Sequence, residues 1–154
     1  MNFTPIIEKK KEKKDEGMQF DPVTRYMAVD LITFKPKQSV EQVIDILVKN
    51  KITGGPVLNE KGELIGIISD RDCLKVIMDK AINNQPVRDA KVENYMTTNV
   101  QTISVDCDVI DVANEFLNSK FRRFPVVDGK GKLVGQVSRV DILKAAKNLE
   151  ITTW

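Results

Sequence analysis

Apolar positions along the chain fall at helical spacing in one stretch and in short runs in the next. Between Val40 and Val48 they recur at i, i+3, i+4, i+7 and i+8, which predicts a helix of about twelve residues with one buried stripe. Ser39, with Gln42 three residues later, gives this helix a favourable N-terminus. The residues of the stripe are Val40, Val43, Ile44, Leu47 and Val48.

Short apolar runs flank the helix and predict strands. Residues 31–34 are predicted to form a first strand, and residues 56–58 and 64–68 a second and third, joined by a tight turn at 59–62. Because residues 64–68 are almost all apolar, this strand is expected to be buried on both faces. Ser69 then caps a second helix, so the predicted order is β-α-β-β-α.

The same pattern begins again 69 residues later without a gap, with Asp108 replacing Ser39 as the helix cap. About 17 of some 56 paired positions are identical, which indicates two copies of one supersecondary unit. A unit of roughly 55 residues buries little apolar surface alone, so we expect the copies to share a core around a pseudo-two-fold axis. The clearest repeated motif is Gly-x-x-Ser-x-x-Asp, formed by Gly66, Ser69, Asp72, Gly135, Ser138 and Asp141.

The repeat divides the chain into an arm, two domains, a linker and a tail. The predicted bounds are 1–22 for the arm, 23–79 and 92–148 for the domains, 80–91 for the polar linker and 149–154 for the C-terminal tail. The arm mixes lysines with acidic residues and has no apolar face, which favours a frayed, solvated helix or a disordered segment. An arm that contacts nucleic acid or an acidic partner is the alternative.

The sequence contains no histidine, and this absence bears directly on catalysis. It removes Ser-His-Asp and Cys-His nucleophile pairs, histidine general bases and histidine-containing metal sites. The sequence also lacks a P-loop and any cluster of residues with metal-ligand spacing. We therefore expect a protein that is not an enzyme and that has no metal site and no cofactor.

Charge and hydropathy restrict the partners and the compartment. A formal net charge of +2 is too small to predict nucleic-acid binding, and no apolar run approaches the roughly 18 residues of a membrane span. Two cysteines, Cys73 and Cys107, supply no disulfide framework, so a cytoplasmic location is expected. Cys73 is predicted to fill the core and Cys107 to lie exposed in a loop.

Several motifs recur in the same order in both copies. They are a lead-in methionine, Met27 or Met96, the helix-to-strand passages at 53–57 and 122–126, and the repeated Gly-x-x-Ser-x-x-Asp. In these motifs the chain, from about residue 23 to 146, resembles a tandem pair of CBS (cystathionine-β-synthase) domains. The resemblance implies an α+β fold in which two β-α-β-β-α repeats pair through their sheets and leave two clefts.

The resemblance also implies a regulatory function. Such clefts commonly take adenosine-containing ligands, and such modules often dimerise through their helices as part of a larger regulated protein. The implied function is a non-catalytic sensor of AMP, ADP or ATP that transmits occupancy to a homodimer or to a regulated partner protein of unspecified identity. The alternative is a dimerisation or scaffold module with empty, vestigial clefts.

The two Ser-x-x-Asp turns have a structural and a functional interpretation. Structurally, the motif at a helix start is close to a capping box, and the aspartate lies where the helix dipole favours negative charge. Functionally, a carboxylate accepts hydrogen bonds with two oxygens and matches the 2′,3′-diol of a ribose. The two interpretations are compatible, and the four candidate ribose ligands are Ser69, Asp72, Ser138 and Asp141.

Basic residues near these turns are the candidate phosphate ligands. In the resembling family, basic residues of the second repeat contact the phosphate of a ligand whose ribose is held by the aspartate of the first. This implies one cleft formed by Ser69, Asp72, Arg122, Arg123 and Ser138. The equivalents of the two arginines are the uncharged Thr53 and Gly54. The second cleft, around Ser138 and Asp141, would then depend on Arg71 or Arg139, and we expect the two clefts to be unequal.

An adenine base is expected to meet apolar side chains and main-chain groups of the strands and passages. The candidate residues are Thr33, Ile52, Thr53, Pro56, Thr102, Phe124 and Pro125.

Overall fold

The computed structural model describes residues 7–9 and 20–149. These residues form four α-helices and six strands, and the predicted α+β class is confirmed. The helices are α1 (Val40–Asn50), α2 (Asp70–Ile82), α3 (Val109–Leu117) and α4 (Arg139–Ala146). The strands are β1 (Ile7–Lys9), β2 (Gly54–Leu58), β3 (Leu64–Ser69), β4 (Gln101–Ser104), β5 (Arg123–Val127) and β6 (Leu133–Ser138).

The described residues divide into two compact units, which we call unit 1 and unit 2. Unit 1 contains Ile32–Val100, and unit 2 contains the described parts of Ile7–Leu31 and Gln101–Trp154. The units therefore do not coincide with the two sequence repeats. Residues 23–31 of the first repeat belong to unit 2, and residues 92–100 of the second repeat belong to unit 1.

Unit 1 is built on an antiparallel pair of strands. β2 pairs with β3, from Gly54 opposite Ser69 to Leu58 opposite Leu64. The predicted strand at 31–34 is wrong, since only Phe34 pairs there, in a parallel bridge to Val57. A turn in which the Gln38 amide donates to the Lys35 carbonyl (3.1 Å) begins directly after Phe34 and ends the pairing.

Unit 2 contains a four-stranded sheet in the order β1-β4-β5-β6. β4 is parallel to both β1 and β5, and β5 is antiparallel to β6. The arm was expected to be a frayed helix or disordered, but Ile7–Lys9 forms a strand along Gln101–Ile103. The rest of the predicted arm up to residue 19, like the tail beyond residue 149, lies outside the described residues.

The lead-in methionines explain the repeated glycines. In unit 1, a Cβ on Gly66 would lie 2.8 Å from the Met96 sulfur. In unit 2, a Cβ on Gly135 would lie 2.5 Å from the Met27 sulfur and 2.9 Å from the Ala28 carbonyl oxygen. We call the segment around each of these methionines a lead-in segment. Each glycine thus allows a lead-in segment to lie directly on the strand, and the backbone of the lead-in segment also pairs with the strand.

Helix caps appear where the sequence predicts them. Ser39 caps α1, its Oγ accepting a hydrogen bond from the Glu41 amide at 3.2 Å. Asp108 caps α3, its Oδ1 accepting from the amides of Ile110 (3.0 Å) and Asp111 (2.9 Å). These bonds satisfy amide donors that the first turn of a helix leaves without partners.

Each unit has its own core, but the predicted stripe is only partly buried. Val40, Val43 and Leu47 of α1 are buried, whereas Val48 is 73% exposed. Its repeat equivalent, Leu117, is 86% exposed. The prediction of burial was wrong for both, because an apolar stripe shows which helix face is apolar and not how far a neighbouring element covers it.

Both cysteines are buried, and neither forms a disulfide. The exposed position predicted for Cys107 is wrong, since this side chain is 1% exposed and belongs to the core of unit 2. Burial, followed by the nearby charge of Asp72, raises the pKa of Cys73 from 9.0 to about 11. Burial, followed by the charge of Asp111, raises the pKa of Cys107 to about 11 as well.

Candidate functional site

The first Ser-x-x-Asp turn connects β3 to α2. The Ser69 Oγ accepts a hydrogen bond from the Asp72 amide at 3.3 Å and donates one to Asp72 Oδ2 at 3.0 Å. The Ser69 amide donates to the same Oδ2 at 2.9 Å. Ser69 and Asp72 therefore form a complete capping box, as the structural interpretation predicts.

The second turn, between β6 and α4, repeats this geometry. Asp141 Oδ2 accepts from the Ser138 amide at 2.8 Å and from the Ser138 Oγ at 3.0 Å. The Ser138 Oγ accepts in return from the Asp141 amide at 3.3 Å. The same local sequence thus fixes both carboxylates in the same orientation at a helix N-terminus.

One oxygen of each carboxylate is not used by the cap. Oδ1 of Asp72 and of Asp141 accepts no hydrogen bond from the residues that the structure describes. Neither oxygen is enclosed without a partner, since the described residues contain no such buried side-chain atom. Oδ2 already accepts two hydrogen bonds in each turn, so Oδ1 is the oxygen that each turn can offer to a ligand hydroxyl.

The residues of β2 and of the passage before it that lie beside the turn in unit 1 carry no charge. Gly54 lies opposite Ser69 in the β2–β3 pair, and the Asp70 amide donates to the Thr53 carbonyl at 2.8 Å. The structure therefore brings Thr53, a candidate base residue, next to the turn. A Cβ on Gly54 would lie 2.7 Å from the Ile68 carbonyl oxygen, so this close backbone approach favours glycine.

The environment of the turn in unit 2 is basic. Arg123, the equivalent of Gly54, lies opposite Ser138 in the β5–β6 pair. Arg122 precedes it, and both side chains are exposed. Neither makes an ion pair with another described residue. Two arginines beside a Ser–Asp turn give unit 2 a potential anion contact that unit 1 lacks at the equivalent positions.

The other two candidate phosphate ligands differ from each other. Arg139 donates from Nη2 to the Phe121 carbonyl oxygen at 3.2 Å, and its guanidinium lies 6.0 Å from the centre of the Phe116 ring. Arg71 is exposed, and its backbone amide donates to Asp70 Oδ1 at 2.7 Å. Arg139 is therefore positioned by contacts within unit 2, while the Arg71 side chain has no such contact among the described residues.

The candidate base residues are distributed over both units. In unit 1, Thr33 and Thr53 are exposed, Ile52 is half-buried and Pro56 is buried. In unit 2, Thr102, Phe124 and Pro125 are all buried. The Phe124 ring packs in the core at 4.5 Å from the Phe116 ring centre. Phe124 therefore presents no free ring face to a base within unit 2, and its backbone is the part left for a contact.

Metal sites and membrane spans are both missing from the described part of the chain. No group of three or more histidine, cysteine or acidic side chains there is placed to hold a metal ion. No helix there is both long enough and apolar enough to cross a membrane.

A family model and solved structures of known proteins assign this chain to the same family. The family model for the CBS domain matches residues 23–79 and 92–148. The crystal structure of CBSX2, a protein of Arabidopsis thaliana, in complex with AMP superposes with a TM-score of 0.71 at 32% identity, covering 84% of this chain and 98% of that one. The CBS domain pair of MJ0100, in complex with 5′-methylthioadenosine and S-adenosyl-L-methionine, gives a TM-score of 0.67 at 29% identity, covering 84% and 98%.

The chain spans less than two thirds of the length of several curated relatives that it matches. The uncharacterized protein MJ1225 of Methanocaldococcus jannaschii is 29% identical over 90% of this chain and 48% of its own length. The chain spans 62% of the full chloroplastic CBSX2. On the family match and on its likeness to CBSX2, this chain belongs to the CBS domain family.

Proposed function

We propose that this chain is a non-catalytic regulatory module that senses adenosine-containing ligands and transmits their binding to a homodimer or to a regulated partner protein. The observation that carries the proposal is the pair of Ser–Asp turns, each with a carboxylate oxygen that its cap leaves available. A hydroxyl that donates to a desolvated carboxylate contributes about 1.5 to 3 kcal/mol, which is enough to select a ribose.

The complexes of the two structural relatives support the ligand class. CBSX2 is in complex with AMP, and the MJ0100 domain pair with 5′-methylthioadenosine and S-adenosyl-L-methionine. These molecules share an adenosyl group and differ in the substituent on its 5′ carbon. The shared ribose diol is the part that a carboxylate recognises, since it supplies two hydroxyl donors.

Within this class we propose AMP, ADP or ATP, which makes the module a sensor of energy status. Arg122 and Arg123 support a phosphorylated ligand because both are exposed and form no ion pair among the described residues. A guanidinium can donate two parallel hydrogen bonds to a phosphate, a match that a neutral or cationic 5′ group does not offer.

Exposed apolar side chains on the helices support homodimerisation as the means of transmission. In unit 1, Val48 and Leu74 are 73% and 61% exposed; in unit 2, Leu117 and Leu143 are 86% and 67% exposed. Large apolar side chains grouped on helix faces are typical of interaction surfaces. A ligand that shifts the dimer equilibrium needs to differ in affinity between the two states by only about 1 to 3 kcal/mol.

A ligand-free dimerisation module is the second candidate, and one observation favours it. The capping boxes account for Ser69, Asp72, Ser138 and Asp141 as helix-stabilising residues without any ligand. In that case the exposed helix faces would be the functional surface and the two turns would serve stability alone.

Calorimetry and thermal-shift measurements on conservative variants separate these functions. Asp72→Asn and Asp141→Asn keep an oxygen for the cap but replace the available carboxylate oxygen by an amide that donates. Asp111→Asn is the matched control, because Asp111 has the same capping role in α3 outside the two turns.

The expected result is binding of AMP, ADP or ATP that weakens in the first two variants and not in the control. A ligand at one hundred times its dissociation constant should raise the unfolding free energy by about 2.7 kcal/mol. The sensor function is overturned if no adenosine compound binds, or if binding is unaffected by both substitutions. A stable dimer without ligand binding would then support the second candidate.

We also propose that the module acts in the cytoplasm. The support is that the sequence has two cysteines, both buried, and that they form no disulfide, as in proteins of reducing compartments. Fractionation of the source cells with an antibody against the chain tests this, and recovery in an organelle or membrane fraction would overturn it.

A further inference from the structure

Backbone hydrogen bonds hold the short connection between α1 and β2 in unit 1. This connection, residues 51–53, begins with a residue in the left-handed conformation, at a φ of 53°. The Ile52 amide donates to the Leu47 carbonyl at 3.1 Å. The Asp70 amide, at the start of α2, donates to the Thr53 carbonyl at 2.8 Å. Since both bonds join main-chain groups, they do not depend on which side chains the connection carries.

The corresponding connection in unit 2 is longer and lacks both of these bonds. α3 has nine residues and α1 has eleven, so residues 118–122 lead from α3 to β5. The Phe121 amide does not donate to the Phe116 carbonyl and instead donates to a serine Oγ within the connection, at 3.4 Å. Within the described part of the chain, the Arg139 amide does not donate to the Arg122 carbonyl. Other contacts must therefore hold this connection.

The Arg139 side chain supplies such a contact. Its Nη2 donates to the Phe121 carbonyl oxygen at 3.2 Å, and its guanidinium lies 6.0 Å from the centre of the Phe116 ring in the last turn of α3. The Phe116 ring lies in the core of unit 2, 4.5 Å from the Phe124 ring. A guanidinium makes charge-assisted hydrogen bonds and is attracted to an aromatic ring. Arg139 thus connects the start of α4 to the connection and to the end of α3.

The carbonyl that Arg139 holds lies directly before the two candidate phosphate ligands. The Phe121 carbonyl and the Arg122 amide belong to one planar peptide group, so a bond to the carbonyl also fixes the orientation of that amide. Arg123 follows as the first residue of β5. Both arginine side chains are exposed. A side chain on a fixed backbone loses less conformational freedom on binding an anion than one on a moving backbone, and it binds more tightly for that reason.

We propose that Arg139 is a positioning residue for phosphate recognition in unit 2. It holds the connection through the Phe121 carbonyl and thereby orients Arg122 and Arg123 for the 5′ phosphate of the ligand. Asp70, its repeat equivalent, holds the unit 1 connection with its backbone amide. This inference rests on the proposed function and specifies how the phosphate contact is prepared. The role differs from the direct phosphate contact expected for Arg139 from the sequence.

Hydrogen exchange of the chain without ligand tests whether Arg139 holds the connection. Arg139→Ala removes the bond to the Phe121 carbonyl and leaves a good helix former at the start of α4. Mass spectrometry of peptides should show the amides of residues 118–122 exchanging about threefold faster or more, because the connection opens more often. The amides of residues 51–53 should exchange as in the wild type. Lys144→Ala removes another exposed positive charge from α4 and is the matched control, which should change neither set.

A double-mutant cycle with AMP tests whether Arg139 acts through the two arginines. Calorimetry at constant salt measures AMP and adenosine binding to the wild type, Arg139→Ala, Arg122→Ala/Arg123→Ala, the triple variant and Lys144→Ala. Arg139→Ala should weaken AMP about fivefold or more and change adenosine, which lacks the phosphate, by less than about twofold. In the chain without Arg122 and Arg123, the same substitution should change AMP binding by less than about twofold, since a positioning residue acts only through the residues that it positions. Lys144→Ala should change neither affinity by more than about twofold.

Several results overturn the inference while the sensor function stands. One is wild-type exchange of residues 118–122 in Arg139→Ala, and another is unchanged AMP affinity in that variant. An equal loss of AMP affinity with and without Arg122 and Arg123 would show that Arg139 contacts the phosphate itself. Equal losses for AMP and adenosine would assign Arg139 a general structural role, and an equal effect of Lys144→Ala would assign the loss to net charge. If neither ligand binds the wild type, the sensor function is wrong, and the inference fails with it.

Discussion

Arg123 lies directly opposite Ser138 in the β5–β6 pair, where Gly54 lies opposite Ser69 in the equivalent pair of unit 1. Strand β5 therefore begins with a guanidinium side chain next to Ser138. The residue in the equivalent position next to Ser69 is a glycine, which has no side chain. The two turns are alike in their hydrogen bonds and differ in the charge beside them. This difference leads to a prediction about phosphate.

Replacing Arg123 should weaken the binding of a ligand that carries a phosphate and should not weaken the binding of one that lacks it. In Arg123→Ala we expect AMP to bind about 10- to 100-fold more weakly, because a charge-assisted hydrogen bond contributes about 1.5 to 3 kcal/mol. Adenosine, which lacks the phosphate, should bind as it does to the wild type. Calorimetry with both ligands at constant salt measures the two affinities.

Lys132→Ala is the control for Arg123→Ala, because it removes an exposed positive charge from the β5–β6 turn of the same unit. It should change neither affinity by more than about twofold, since a long-range contribution from an exposed charge is screened by salt. Equal losses for AMP and adenosine in Arg123→Ala would contradict a role in phosphate binding. Combining Arg123→Ala with Asp72→Asn or Asp141→Asn then shows with which aspartate the arginine acts.

The Asp72 and Asp141 carboxylates should distinguish ribose from deoxyribose. We expect 2′-deoxy-AMP to bind the wild type about tenfold more weakly than AMP, because one hydroxyl donor to the carboxylate is missing. In the double variant Asp72→Asn/Asp141→Asn this discrimination should shrink to less than about threefold. Competition titration with both nucleotides measures the ratio. If the ratio of the two affinities is the same in the double variant as in the wild type, groups other than these two carboxylates recognise the sugar.

The local features of the fold follow from local sequence. Ser39 and Asp108 cap their helices as predicted, and both Ser–Asp turns form capping boxes. Each depends on residues within about one helical turn, which is the range over which a side chain can reach a free amide. The positions and types of these elements were therefore predictable.

Features that depend on residues far apart in the sequence could not be predicted in this way. Nothing in the charged sequence around Ile7–Lys9 signals a strand, because that strand is defined by its pairing with β4. Likewise, the burial of Cys107 depends on the lead-in segment, whose Val23 amide donates to the Cys107 carbonyl at 3.0 Å. The periodicity of apolar residues shows which residues share one face of a helix or strand. It does not show which other segment covers that face.

Because the segment around Met27 packs directly on β6, we expect even a small substitution at Gly135 to lower the stability of the folded chain strongly. In Gly135→Ala the new Cβ would lie 2.5 Å from the Met27 sulfur and 2.9 Å from the Ala28 carbonyl oxygen. Because the backbone oxygen cannot move without breaking its pairing, we expect a loss of about 1 to 3 kcal/mol in the free energy of unfolding. Urea denaturation measures it.

Gly129→Ala provides the matched control for Gly135→Ala. No atom lies within 4 Å of a Cβ at Gly129, and its backbone is outside the left-handed region. This substitution should be neutral or slightly stabilising, because alanine restricts the unfolded chain. Equal effects of the two substitutions would contradict a tight contact between Gly135 and the lead-in.

The two buried thiols predict a loss of stability at alkaline pH. Cys73 and Cys107 each have a pKa raised from 9.0 to about 11 in the folded chain, because burial disfavours the thiolate. Between pH 9 and 11 the unfolded chain therefore binds fewer protons than the folded one, and the free energy of unfolding falls as the pH rises. More than about one pH unit below 9.0 both states keep the thiols protonated, and these groups contribute almost no slope.

Comparison with Cys73→Ala/Cys107→Ala isolates this effect from other groups that titrate in the same range. One of these is Tyr95, whose pKa is raised by its hydrogen bond to Asp79. The unfolding free energy of the wild type minus that of the double variant should be nearly constant up to about pH 8 and should then fall as the pH rises to 11. At pH 8 a disulfide reagent should modify the native thiols only slowly, because the thiolate is the reactive form. Rapid modification of the folded chain, or a difference that stays flat to pH 11, would contradict burial of the thiols.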